Sequence, residues 1–242
     1  MKINVNMAER RCRLNMMALS VWMGIVVMVR LVACSPAFQA GKRQISSALS
    51  SGTSRGDIRG MGGKMVEIKF LGRGGQGVVV ASEILARAGF EEGMYPQSYS
   101  LFGAERRGAP VTGFVRVSDK KIYLKCDVDR PNHLALFDKS LCNEEEINAQ
   151  VIPGGYVLLN GDGSFRPRAL ENYKIGRIDA LEIAKKHGLG SIVNTAILGA
   201  YVRLTEIVTL ETLIKVIGET ISTATEANIA AAKEAYEKAT LL

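Results

Sequence analysis

Residues 66–90 read VEIKFLGRGGQGVVVASEILARAGF, and the succession of textures in that run decides the fold class. Residues 66–71 form a short strand run that ends in glycines, and residues 76–90 continue with apolar spacing that suits a helix. The segment is a strand, a Gly-rich turn and a helix. Its turn, Gly72-Arg73-Gly74-Gly75-Gln76-Gly77, satisfies the pattern G-x-G-x-x-G. Backbone N–H groups at such a helix start can hold an anionic phosphate. The same glycines also serve a tight turn with close helix-to-sheet packing and no ligand.

Outward from this unit, further strands are expected over residues 94–100, 111–117, 133–137, 155–160 and 173–178. Helices are expected over 143–150, 179–187, 193–204, 209–219 and 222–239. Strands alternating with helices predict an α/β domain, a three-layer Rossmann-like sheet, mostly parallel, with helices on both faces. Residues 111–117 and 121–125, joined by Ser118, Asp119 and Lys120, predict a hairpin, which would make the sheet mixed. The final Ala-rich stretch places Glu234 four residues before Lys238, a pairing that suits a surface helix.

The charge is unevenly distributed. Residues 1–64 carry ten Lys/Arg against two acids, Glu9 and Asp57, whereas residues 65–242 carry 21 Lys/Arg against 22 acids. The first segment is therefore +8 and the rest −1, so the net +7 of the chain gives the rest no basic excess that would point to nucleic acid. Met65 marks the expected boundary between a leader, residues 1–64, and a globular domain, residues 65–242. The leader has a basic start, an apolar run over 16–29 and the box LVAC at 31–34. An over-extended start before Met65, an export signal and an organellar targeting segment all account for it. Arg30 sits between the run and the box, where a charge is costly in a membrane, and the run is short for a bilayer, so no membrane span is expected; the location expected for the domain is cytoplasmic.

Cys12, Cys34, Cys126 and Cys142 occur singly, and His133 and His187 are the only histidines. Cys126 and Cys142 alone cannot build a four-thiolate iron–sulfur cluster, and no H-E-x-x-H pair offers a zinc site. No metal ligand or catalytic residue is assigned to this chain, and redox chemistry would place the metal centres on other chains. A nicotinamide reading of the glycine turn needs an acid near the end of the second strand. The second strand candidate, around Met94 to Tyr99, ends without Asp or Glu, which argues against NAD.

Residues 102–110, FGAERRGAP, set Glu105, Arg106 and Arg107 in a Gly-flanked loop between two strands. Such a pair serves either a solvated, salt-bridged turn or a bidentate clamp on phosphate or diphosphate. Gly161-Asp162-Gly163 begins like a thiamine-diphosphate motif, but the closing Asn-Asn pair is missing, so it reads as a turn. Asn194-Thr195 reads as a helix N-cap region, with a ligand or partner contact as the sharper option. His133 reads as a core or edge residue, and His187 as a helix C-terminus.

Three motifs in order, GRGGQG, then ERRGAP, then VNTA followed by LGA at 198–200, resemble the gamma subunit of pyruvate and related 2-oxoacid:ferredoxin oxidoreductases. The resemblance covers essentially all of residues 65–242. It implies a hetero-oligomer with alpha, beta and delta-type subunits that decarboxylates a 2-oxoacid, pyruvate in the first instance, and transfers the acyl group to coenzyme A. Thiamine diphosphate, Mg and [4Fe-4S] clusters are implied on partner subunits, with ferredoxin as electron acceptor. Branched-chain 2-oxoacids and a free-standing dinucleotide-binding dehydrogenase are the alternatives. The expected coenzyme A contacts on this chain are Gly74, Gly75, Gln76, Arg106 and Arg107.

Overall fold

The computed structural model describes residues 65–101, 108–162 and 169–242. The leader, including its LVAC box, and Arg106 and Arg107 lie outside the described residues. Strand β1 (Val66–Arg73) alternates buried and half-buried positions. Val66, Ile68 and Phe70 face one side of the sheet, and Glu67, Lys69 and Leu71 the other, the period-two geometry of a pleated strand. Helix α1 (Val78–Glu91) follows and buries Val78, Ala81, Ile84, Leu85 and Ala88, a three-four spacing that gathers one apolar face.

The chain then departs from a simple parallel winding. Strands β2 (Tyr95–Leu101) and β3 (Pro110–Ser118) pair antiparallel, and β3 also runs antiparallel to β1. Strands β4 (His133–Leu136), β5 (Tyr156–Asn160) and β6 (Lys174–Ile178) extend β1 in parallel, and β7 (Thr240–Leu241) closes the far edge antiparallel to β6. The order is β2-β3-β1-β4-β5-β6-β7. The central parallel strands HLAL and YVLLN are buried almost throughout, as strands covered on both faces are.

The hairpin expected between 111–117 and 121–125 does not form. Strand β3 has β1 on one side and β2 on the other, so no edge is left for a third partner. Residues 121–125 carry no strand; Leu124 O accepts from Gln97 Nε2 at 3.0 Å, and farther on Val128 N donates to Tyr99 OH at 2.8 Å. The sheet is mixed, but through the pairing of β3 with β2 and β1.

After a 3₁₀ turn (Lys139–Leu141), α2 (Glu144–Gln150) is capped by Asn143, whose Oδ1 accepts from the N–H groups of Glu145 and Glu146. Its Ile147, with Leu134, Leu136, Val157, Leu159 and Tyr173, fills the smaller core layer. The larger layer lies on the opposite face, under α1, α3 (Ala180–Lys186), α4 (Asn194–Thr205), α5 (Leu210–Thr220) and α6 (Thr225–Lys238). There Phe70 meets Phe137 and Tyr201 with ring centroids 5.8 and 5.9 Å apart. Each such side chain contributes about 1.5–3 kcal/mol through burial. Helix α4 is buried continuously from Asn194 to Val202, since sheet and helices enclose it. Among the described residues no helix is long and apolar enough to cross a membrane.

Candidate functional site

The carboxyl end of β1, the glycine turn and the start of α1 form one wall of the site. Gly75 and Gly77 hold φ of 99° and 82°, the left-handed region that glycine enters without a Cβ penalty. Gly74 N donates to Ala109 O at 2.8 Å and Gly108 N donates to Gly74 O at 3.3 Å, which laces the turn to the entry of β3. Gln76 folds back on its own turn, with Oε1 accepting from Arg73 N at 2.7 Å. The α1 N-terminus has no side-chain cap and no acid in its first turn. Its first N–H groups therefore lack intrahelical acceptors and face outward.

Arg73, a position the sequence reading passed over, braces this turn. Its Nε donates to Asp138 Oδ2 at 3.1 Å, its Nη2 to Ser140 Oγ at 2.8 Å, and its Nη1 to Gly108 O at 2.9 Å. One guanidinium thus joins the ends of β1 and β4 and the start of β3. Partial burial works against the ionised form of Asp138, but hydrogen bonds from Ser140 and the charge of Arg73 outweigh it and hold the carboxyl below its ordinary value. The strand used in the argument against NAD, β2, is not a neighbour of β1. The strand beside β1 in the parallel register is β4, not the sequence-next β2, and β4 leads through Phe137 directly into Asp138. That acid is engaged by Arg73 and Ser140 and is not among the residues lining the cleft described below.

The second wall comes from α4, the chain before it and the segment between α5 and α6. Between the walls is a cleft of about 810 Å³, lined by Gly74, Gly75, Gly77, Val79, Ile192, Asn194 and the segment 220–224, among others. Its lining is mostly apolar, and among the described lining residues Arg73 alone is charged. Helix α4 begins at Asn194 with Val193 as N-cap, one residue earlier than the expected capping role of Asn194. Asn194 is 3% exposed, and its Oδ1 accepts from Thr195 N at 2.9 Å. Thr195 Oγ1 donates to Asn228 Oδ1 at 3.1 Å, and Asn228 Nδ2 donates to Ala224 O at 3.0 Å. This buried chain fixes the second wall, with Ala224 held at φ 52°.

Of the residues expected at the site, Gly74 and Gly75 line the cleft, whereas Gln76 shapes the turn. Arg73 lay inside the quoted motif, but its partner Asp138 is 65 residues away and no local signal links them. Neither histidine, nor Gly161 or Asp162, is among the residues lining the cleft. His133 is buried against Tyr201 at 2.7 Å, His187 ends α3 and meets Glu234 at 2.7 Å, and Asp162 pairs with Lys139 at 3.6 Å.

A family profile described as pyruvate ferredoxin/flavodoxin oxidoreductase matches residues 67–238. The pyruvate synthase subunit PorC of Methanothermobacter marburgensis is 44% identical over 175 residues, covering 72% of this chain and 97% of that one. The pyruvate/ketoisovalerate oxidoreductases common subunit gamma of Thermococcus kodakarensis is 43% identical over 180 residues, covering 72% and 97%. The crystal structure of pyruvate oxidoreductase subunit PORC from Thermotoga maritima superposes with a TM-score of 0.65 at 33% identity, over 74% of this chain and 98% of that one. The matched segment contains the strand–turn–helix unit from Glu67 onward and both walls of the cleft, and the chain belongs to the gamma-subunit family of pyruvate and related 2-oxoacid:ferredoxin oxidoreductases.

Proposed function

We propose that this chain serves an enzyme of the pyruvate or ketoisovalerate type, with the 2-oxoacid selected on partner chains, and that its glycine-turn cleft receives the phosphates of coenzyme A. The observation that carries the reading is an uncapped α1 N-terminus opening, beside exposed Gly75, onto a cleft in which no described lining residue is a carboxylate. A helix start of this kind favours an anion. The fit is also steric. A Cβ added at Gly75 would meet nothing within 4 Å, so the turn leaves its backbone open to a ligand.

In this reading the backbone of Gly74 and Gly75 meets the phosphates, Gln76 holds the turn in shape, and Arg106 and Arg107 add charge from the loop that ends at Gly108. The names of the relatives support shared use, since one is a subunit common to pyruvate and ketoisovalerate oxidoreductases. Alpha, beta and delta-type partners would carry thiamine diphosphate, Mg and the [4Fe-4S] clusters, which supply the decarboxylation and pass electrons to ferredoxin. The globular domain would begin at Met65.

The test is the double variant Arg106→Ala/Arg107→Ala in the assembled enzyme. Charge-assisted bonds are worth about 1.5–3 kcal/mol each, and roughly 1.4 kcal/mol is a factor of ten. The KM for coenzyme A should therefore rise at least about tenfold with the KM for the 2-oxoacid unchanged. An unchanged KM for coenzyme A sinks the phosphate role. Loss of assembly would instead assign the pair to a salt-bridge network between subunits.

A further inference from the structure

We propose that Asn194 forms the opposite side of the phosphate seat, its Nδ2 donating to the anion held by the start of α1, a role that rests on the coenzyme A reading above and extends it to a second wall. Asn194 opens α4 and is almost wholly buried. A primary amide in such a place normally has both ends satisfied. Here Oδ1 turns back to Thr195 N at 2.9 Å, while Nδ2 has no hydrogen-bond partner among the described residues. Yet no buried side-chain nitrogen or oxygen among them is left sealed and unpaired, so Nδ2 keeps an opening, and Asn194 lines the cleft.

The amide stands directly beside the glycine turn. A Cβ at Gly77 would lie 2.7 Å from Asn194 Nδ2 and 2.8 Å from its Cγ, so only a glycine there lets the amide pack against the start of α1. Gly77 is also the residue from which α1 starts, without a side-chain cap. The α1 start and the Asn194 amide, one from each wall, thus lie side by side on the lining of the same cleft. The α1 N-terminus selects an anion over a neutral acceptor, and Asn194 adds a directional donor. Beyond this point the walls are Val79, Val80, Ile192 and Ile221, which offer apolar contact. The ligand class that satisfies both is a phosphate ester with a long uncharged arm rather than inorganic phosphate alone.

The experiment compares Asn194→Asp, which replaces the donor with a negative charge, and Asn194→Ala, which removes it, in the assembled complex. Coenzyme A binding is measured by titration calorimetry without 2-oxoacid, and inorganic diphosphate is the competitor. The KM for the 2-oxoacid and the melting temperature check that the complex is intact. The expected result is a Kd for coenzyme A raised at least roughly tenfold in the aspartate variant and a few-fold in the alanine variant, with the diphosphate competition weakened in parallel. Should the aspartate variant fail to assemble, the alanine variant decides. Wild-type affinity in the Asn194 variants, together with weakened affinity in Arg106→Ala/Arg107→Ala, overturns the role of Asn194 and leaves the coenzyme A reading standing. Wild-type affinity in all the variants overturns both.

Discussion

Arg116 sits in the middle of β3 with 1% of its surface exposed, and the side chains around it decide what that burial costs. Its Nε donates to Glu67 Oε1 at 2.8 Å and its Nη1 to Gln97 Oε1 at 2.9 Å. Burial opposes the charge, but the Glu67 carboxylate outweighs it and the guanidinium is held above its ordinary value. Removing one partner of such a pair leaves the other uncompensated, so Arg116→Ala should lose about 3–5 kcal/mol in urea unfolding, with Arg116→Met/Glu67→Met recovering much of it. The glycine turn separates two effects in the same assay. Gly75→Ala meets only the positive-φ penalty of about 1–2 kcal/mol, whereas Gly77→Ala adds a collision with Asn194 and should cost more. His133 gives the pH dependence. Burial, with the nearby positive charge of Lys174, lowers it from 6.5 to about 4. The unfolded chain takes up the proton first, so the stability is fully present above about 6.5 and is lost as pH falls toward 4. The loss is about 3 kcal/mol, and unfolding midpoints at pH 7 and pH 5 should diverge in the wild type and converge in His133→Gln. None of these three environments is legible locally, since Arg116, Gly77 and His133 each meet partners from other elements.

At the scale of elements, the segments readable in advance are those whose neighbours confirm the local pattern. The strand–turn–helix unit over 66–90 stands as read, because a central strand and its covering helix are each decided by apolar spacing. The hairpin over 111–125 does not, because a run of strand-like residues followed by a turn specifies an antiparallel partner without saying which strand supplies it. Strand β3 takes two partners from elsewhere, and the charged run Asp119-Lys120-Lys121 is left exposed outside the sheet pairing. Packing of α4 against α6 is a second element-level fact. A Cβ on Gly199 would lie 2.1 Å from Ala232 O, a backbone atom that no rotamer change can move. Gly199→Ala should therefore separate the two helices and cost about 1–3 kcal/mol or more, read as a lower melting temperature. Because the cleft's second wall rests on these helices, the same variant should weaken coenzyme A binding without touching the cleft itself.

At the scale of the whole molecule, a chain begun at Met65 should assemble with its partners and melt like the full-length chain, since among the described residues Val66 to Ala235 fill both core layers against one another. Co-purification of iron-containing subunits and the melting temperature check this, and failure to assemble would give the leader a structural role. The sequence by itself determined the α/β class, almost every strand and helix from β1 to α6, the glycine turn between β1 and α1, and the family through three ordered motifs. Each of those is carried by residues close together in the chain, where period and turn chemistry act. Only the tertiary structure decided that β2 and β3 run antiparallel ahead of the parallel strands, which moves Asp138 rather than a β2 residue to the end of the strand beside β1. It alone set Asn194 against Gly77, and Arg73 among Asp138, Ser140 and Gly108. These are pairings across 35 to 117 residues of chain. They form because sheet order brings distant strand ends and helix starts to one edge, and no local pattern of residues encodes that order.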